Sequence, residues 1–135
     1  MTIDEQIAAF LKSEAFGVIG ASSRRHKFGN KVLRCYQQRG YRAIPVHPVE
    51  KEIEGEVVVV SVADLPDIVQ SISLITPPQI TEKIVEQAVT RGIRNIWMQP
   101  GAESPAAIEF CLQQGVNLIA DGTCVLVVLG YSGEH

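Results

Sequence analysis

Gly20-Ala21-Ser22-Ser23 is the segment of this chain best suited to hold an anion. A glycine lets backbone approach a ligand closely. The two serines can donate hydroxyls, and Arg24, Arg25 and Lys27 add positive charge. An apolar run, Phe16 to Gly20, precedes the segment, and helical spacing begins near Phe28. A helix starting there would aim free N–H groups and the positive end of its dipole at a phosphate. The three-glycine dinucleotide fingerprint G-x-G-x-x-G is absent. Read alone, the segment is also consistent with a tight strand–helix turn carrying solvated basic residues.

Other reactive side chains are sparse. Cys35 and Cys111 fall on apolar helix faces and read as packing, and Cys124 reads as a small residue at a buried strand end, with a nucleophile as the alternative. Three cysteines at wide spacing suggest neither a disulfide framework nor a zinc site, and a reducing, cytoplasmic compartment is expected. The histidines are His26, His47 and His135; His47 stands before Pro48 and reads as a turn residue. Trp97 lies inside a predicted strand and reads as core. No catalytic constellation is complete, so the sequence gives no ground for assigning an enzyme.

An alternation of strands and helices must position these residues. Thr2 and Glu5 make a capping box before an amphipathic helix over 3–13. A buried strand is predicted over 16–20, a polar loop over 21–27, and a second helix to Arg39, stopped by Gly40. Strand two is predicted at Tyr41 to Val46. Strand three is expected at Val57 to Val60, an unbroken valine run typical of burial on both faces. Ser61 and Asp64 suggest one helical turn. Strand four covers Ile72 to Ile75, and a helix runs from Gln79 to Arg91 before Gly92. Strand five is Asn95 to Met98. Ser104-Pro105 starts a helix that ends at Gly115. Strand six is Val116 to Ala120, with a seventh at Val125 to Leu129.

That order predicts one α/β domain over residues 1–135, Rossmann-like, with a mostly parallel sheet and helices on both faces. The composition, 46% hydrophobic and 20% charged, is that of an ordinary globular chain. A net charge of -3 gives no strong field for nucleic acid or an anionic membrane. Met1 to Lys12 lacks a basic, apolar signal pattern, and no apolar stretch is long enough to span a bilayer.

Ligands of such sheets bind beyond the carboxyl ends of the strands. The loops to watch are Gly20–Phe28, His47–Lys51, Thr76–Pro78, Gln99–Gly101 and Asp121–Cys124. An NAD site normally has Asp or Glu at the end of strand two. Here that end reads Pro45-Val46-His47-Pro48, with no carboxylate before Glu50. Thr76 has a hydroxyl at the carboxyl end of strand four, placed to reach a polar atom of a ligand, so Thr76→Val should weaken ligand binding and barely change apo stability.

Taken together the chain resembles the CoA-binding domain family, the small proteins related to the N-terminal domain of the succinyl-CoA synthetase α subunit. The resemblance spans Phe16 to Cys124. It rests on Gly20-Ala21-Ser22 with Lys27-Phe28-Gly29, on Gly40-Tyr41 leading to Pro45-Val46-His47-Pro48 and Gly55, and on Thr76-Pro77-Pro78. Trp97-Met98-Gln99-Pro100-Gly101 and Asp121 before Cys124 complete it. It implies that coenzyme A or an acyl-CoA is bound. Gly20, Ala21, Ser22 and Ser23, with Arg25 and Lys27, would meet the phosphates. His47, Pro48 and Lys51 would lie near the adenosine or its 3′-phosphate. Thr76, Pro77 and Pro78 would line the path of adenine or the pantetheine arm. Gln99 and Gly101 would close the far side. Two positions depart from the family pattern: His47 stands where Asn is usual, and Gly122-Thr123 separates Asp121 from Cys124 where one basic residue is usual.

The implied partner is the small-molecule CoA ligand, not nucleic acid or a membrane, and a homodimer is compatible with it. None of the three histidines lies in a segment resembling the synthetases' phosphohistidine loop. Two other readings stay open: an NAD(P)-binding redox or sensor domain, and an interaction module that kept the fold and lost its ligand site.

Overall fold

A computed structural model describes residues 1–133; His135 lies outside the described residues. The chain begins with helix α1 (Ile3–Phe10), entered through the expected Thr2–Glu5 capping box. Strand β1 (Ala15–Ile19), helix α2 (Phe28–Gln38) and strand β2 (Ala43–Val46) follow. A small hairpin, β3 (Glu52–Ile53) with β4 (Glu56–Val57), and a 3-10 turn at Val62–Asp64 come next. The second half alternates regularly: β5 (Val69–Leu74), α3 (Pro78–Arg91), β6 (Asn95–Met98), α4 (Pro105–Gln113), β7 (Asn117–Ile119) and α5 (Val125–Val128). Ser104 caps α4 through its side chain, and Gly92 ends α3 in the left-handed conformation at φ 93.

Five strands form one parallel sheet in the order β2-β1-β5-β6-β7. One more contact lies on the outer edge of β2, an isolated parallel bridge between Val46 and Val59. His47 donates its N–H to Val59 O at 3.0 Å, and Val59 donates to Pro45 O at 3.1 Å. Counting that bridge as a vestigial third strand, the order becomes the 3-2-1-4-5-6 of dinucleotide-binding sheets, which reverses between the first and fourth strands. Here the reversal falls between β1 and β5.

The valine run is therefore not the buried strand expected at Val57 to Val60. Val57 is 78% exposed and Val60 65% exposed. The turn at Glu54 (φ 50) and Gly55 (φ 82) folds Glu56–Val57 back onto Glu52–Ile53. Residues that would have lengthened the strand are used in the hairpin, and only Val59 reaches β2. The expected seventh strand is also corrected: Val125–Val128 is a short helix. Val125 is buried, and Leu126 and Leu129 pack on the same cluster, a helical spacing that overrides the strand preference of valine.

The sheet separates two apolar clusters. Phe10, Phe16, Leu33, Tyr36, Trp97 and Val125 fill the side covered by α1, α2 and α5. Ile72, Leu74, Val85, Ile96, Met98 and Cys111 fill the side covered by α3, α4 and the 3-10 turn. On the first side the rings interlock: Phe16 stacks on Tyr36 at 5.0 Å, and Phe10 meets Trp97 edge-on at 5.2 Å. Burying each such side chain contributes about 1.5–3 kcal/mol. This core fixes the carboxyl ends of β1, β2, β5 and β6 along one edge of the molecule.

Candidate functional site

At the reversal point, two glycines let backbone pack on backbone. Gly20 has φ 96, and a Cβ there would lie 2.0 Å from Ile75 O, just past the end of β5. Gly29, in the first turn of α2, would place a Cβ 1.9 Å from Gly20 O. Helix α2 is thus seated directly on the turn that leaves β1. These are the roles of the first and last glycines of the dinucleotide fingerprint. A fixed-spacing search misses them because a longer loop, 21–27, lies between them.

No side chain caps the start of α2, where Lys27 occupies the N-cap position. Its first N–H groups have no partner within the helix. Ser22 Oγ accepts the Arg24 N–H at 3.1 Å. Ala21 is buried, whereas Ser23, Arg25 and Lys27 are exposed in the loop ahead of the helix. Arg25 Nε lies 3.3 Å from Glu54 Oε2 in the hairpin turn.

A cleft of about 300 Å³ opens over the ends of β1, β2 and β5, where Gly20, His47, Pro48 and Thr76 meet the apolar side chains of Val60 and Ile80. A second hollow of about 220 Å³ lies between the ends of β5 and β6, lined by Thr76, Pro77, Pro100 and Gly101 among others. Thr76 borders both. A larger hollow, about 460 Å³, involves Ser13, Glu14 and Asp67 near the amino ends of the strands. That is the end where sheets of this topology do not bind ligands.

The structure places the remaining expected site residues less uniformly. His47 is half-buried, and its Nδ1 accepts the N–H groups of Val49 (3.0 Å) and Glu50 (2.9 Å). The ring caps its own turn as an Asn side chain would, which accounts for the exchange of residue type. With Nδ1 an acceptor, the proton of the neutral ring resides on Nε2. Pro77 is the N-cap residue and Pro78 the first residue of α3, so Pro78 serves helix entry and borders neither hollow. Lys51 is exposed and also borders neither.

Two expectations change. Thr76 Oγ1 is not free: it lies 2.6 Å from Oγ1 of the buried Thr81, which has one other contact, to Thr76 O at 3.5 Å. Gln99 does not face the cleft. It is fully buried, and its Oε1 accepts the Val125 N–H at 2.9 Å, holding the start of α5. Its Nε2 is buried with no hydrogen-bond partner. Trp97 is core, as expected, and its Nε1 donates to Thr123 O at 2.8 Å, tying β6 to the 121–124 loop. The Thr123 hydroxyl and N–H hold the Asp121 carboxyl below its ordinary range. Burial pushes the Cys35 and Cys111 thiols up to about 11, while Cys124, expected at a buried strand end, is half-buried at the N-cap of α5.

Sequence reasoning passed over Asn30, Arg34, Glu54 and Thr81. Asn30 and Arg34 are polar residues one turn apart, both buried on α2. That spacing was the available signal. Among the described residues, no group of three His, Cys, Asp or Glu side chains converges as a metal site, and no helix is long and apolar enough to cross a membrane.

Residues 14–130 match the model of the CoA binding domain. A conserved hypothetical protein from Pyrococcus furiosus is 34% identical, superposes with a TM-score of 0.82, and the match covers 85% of this chain and 98% of that one. The uncharacterized protein YneT of Bacillus subtilis is 23% identical over 116 residues, 86% of this chain and 85% of its own. The dinucleotide-forming acetyl-coenzyme A synthetase 1 of Ca. Korarchaeum cryptofilum shares the fold at 20% identity and a TM-score of 0.72. That match covers 81% of this chain and 26% of the synthetase.

Proposed function

Because the chain belongs to the CoA binding domain family, we propose that it holds coenzyme A, or an acyl-CoA, across the carboxyl ends of β1, β2, β5 and β6, with no catalytic step of its own. The diphosphate lies ahead of α2, against Gly20, Ala21, Ser22 and Ser23, with Arg25 and Lys27 supplying charge. The adenosine enters the cleft beside His47 and Pro48, where the Nε2–H of His47 is a donor for a ligand acceptor, and Lys51 serves the 3′-phosphate. The pantetheine arm runs past Thr76 and Pro77 toward Gly101.

The observation that carries this reading is the pair of hollows sharing Thr76, beside an uncapped helix start at the point of strand reversal. An extended ligand with a diphosphate between two arms suits that shape. The end of β2 adds a second reason. It offers no carboxylate to a ribose before Glu50, which lies beyond the last strand residue, Val46. A nicotinamide dinucleotide is therefore disfavoured. The free thiols of Cys35, Cys111 and Cys124 suit a reducing, cytoplasmic compartment.

Titration calorimetry with coenzyme A, dephospho-CoA, NAD and NADP tests the reading. Coenzyme A should bind best. Clearly tighter NAD binding, or no binding of any CoA species, would overturn it. A native mass spectrum of the purified protein provides a second check by showing which ligand, if any, it carries.

A further inference from the structure

Two carbonyls of the 21–27 loop are held from beneath by helix α2. Asn30, fully buried, donates from Nδ2 to Ser22 O at 2.8 Å and to Glu54 Oε2 at 3.0 Å. Arg34, one turn further on and also buried, donates from Nε to Asn30 Oδ1 at 2.7 Å and from its guanidinium to Arg25 O at 2.8 Å. Glu54 anchors the far end. Its backbone sits in the left-handed region at φ 50, and Gln37 Nε2 holds its carbonyl at 3.1 Å. Both amide hydrogens of Asn30 and its oxygen are thus engaged. A buried amide or guanidinium is costly to leave unpaired, so this network resists rearrangement.

The consequence follows from the planarity of the peptide group. In a trans peptide, the C=O and the next residue's N–H point in opposite directions. With the carbonyls of Ser22 and Arg25 turned toward α2, the N–H groups of Ser23 and His26 are turned away from it. Neither has an acceptor among the described residues. Backbone N–H groups with no protein acceptor are available to an anion.

We propose that Asn30 and Arg34 are positioning residues: they preset the N–H groups of Ser23 and His26 as donors to the ligand diphosphate without touching it. The proposal rests on the coenzyme A reading above and adds how its phosphate loop is set. Charge alone would leave the exposed Arg25 and Lys27 as the main determinants. Here the specificity for a diphosphate lies in two backbone donors controlled from the helix interior.

The test follows the backbone amide signals of isotope-labelled protein during titration with coenzyme A and, separately, with inorganic pyrophosphate. In the wild type both ligands should move the Ser23 and His26 amide protons downfield. In Asn30→Ala and Arg34→Gln that response should vanish and coenzyme A affinity should fall about tenfold. Adenosine 3′-monophosphate, which has no diphosphate, should bind these variants as it binds the wild type. Glu54→Gln keeps an acceptor for Asn30 and should keep the response. Coenzyme A bound with Ser23 and His26 unmoved would refute the proposal, as would an equal loss of adenosine 3′-monophosphate binding. If coenzyme A fails to bind while pyrophosphate still moves these two amides, the ligand reading fails and the positioning assignment stands. If neither ligand moves them, the assignment fails. Should Asn30→Ala not fold, Arg34→Gln decides, and a folded Arg34→Gln protein whose Ser23 and His26 amides still respond to pyrophosphate refutes the assignment.

Discussion

At the residue scale, Thr76 shows how a group can belong to a site and to the fold at once. The residue borders both hollows, yet its hydroxyl is bonded to the buried hydroxyl of Thr81. Thr76→Val would leave Thr81 with only its 3.5 Å contact to Thr76 O. An unpaired buried hydroxyl costs about 1 kcal/mol. For a domain of this size, that lowers the melting temperature by about 3 °C. Removing both hydroxyls in Thr76→Val/Thr81→Val should restore most of the loss, because two apolar groups of the same shape leave nothing unsatisfied. Coenzyme A affinity should not recover with it if the ligand uses the Thr76 hydroxyl. Thermal melts of the two variants check the first statement, and an unchanged melting temperature in Thr76→Val would refute it. The residue type and position of Thr76 were legible in the sequence, but its partner was not. Thr81 lies on the next helix, and only the turn through Pro77-Pro78 brings the two hydroxyls together. His47 was legible for the opposite reason: its partners, Val49 and Glu50, are adjacent in the chain.

At the element scale, short-range signals read well and edge positions did not. Caps, glycine stops and the Ser104-Pro105 start are local chemistry, and each appears where the sequence puts it. The valine run and the Val125–Val128 helix failed because burial at a sheet edge depends on what else packs there, which no window of sequence contains. The seating of α2 on β1 is likewise long-range, yet it yields a sharp prediction. Gly29→Ala gains about 1 kcal/mol in helix propensity. Against this, the new Cβ would lie 1.9 Å from the Gly20 carbonyl oxygen, a backbone atom that cannot rotate aside. Overpacking of this kind typically costs about 1–3 kcal/mol, and relief requires α2 to lift from the turn. The substitution should therefore lower stability in urea and abolish coenzyme A binding, since the loop ahead of α2 moves with it. A Gly29→Ala protein more stable than the wild type, as propensity alone predicts, would show that the helix is not seated as described.

At the scale of the whole molecule, the protein interior buries acidic groups that must stay neutral. Burial pushes the Cys35 and Cys111 thiols up to about 11, from an ordinary value of 9.0. Tyr36, fully buried with its hydroxyl 2.7 Å from Ser73 Oγ, is raised further by the same desolvation. A raised folded value means that the native state binds more protons than the unfolded state above the unfolded value. The stability these groups contribute is complete below about pH 9 and is lost as pH rises toward 11 and beyond. Glu5 and Asp121 act in the opposite sense. The Thr2 backbone N–H and hydroxyl hold Glu5 below its ordinary range, and the Thr123 hydroxyl and N–H do the same for Asp121. Their contribution is present above the ordinary carboxylate range and lost as pH falls. Urea midpoints should thus be flat near neutrality and fall through the alkaline window. In a Cys35→Ala/Cys111→Ala protein that alkaline fall should be shallower, although its neutral midpoint is lower because two buried side chains have been shortened. Near neutral pH a thiol reagent should label Cys124 in the folded protein and reach Cys35 and Cys111 only after denaturant is added. Labelling of all three in the native state, or an alkaline fall unchanged in the double variant, would mean that these thiols are not held in the core between sheet and helices.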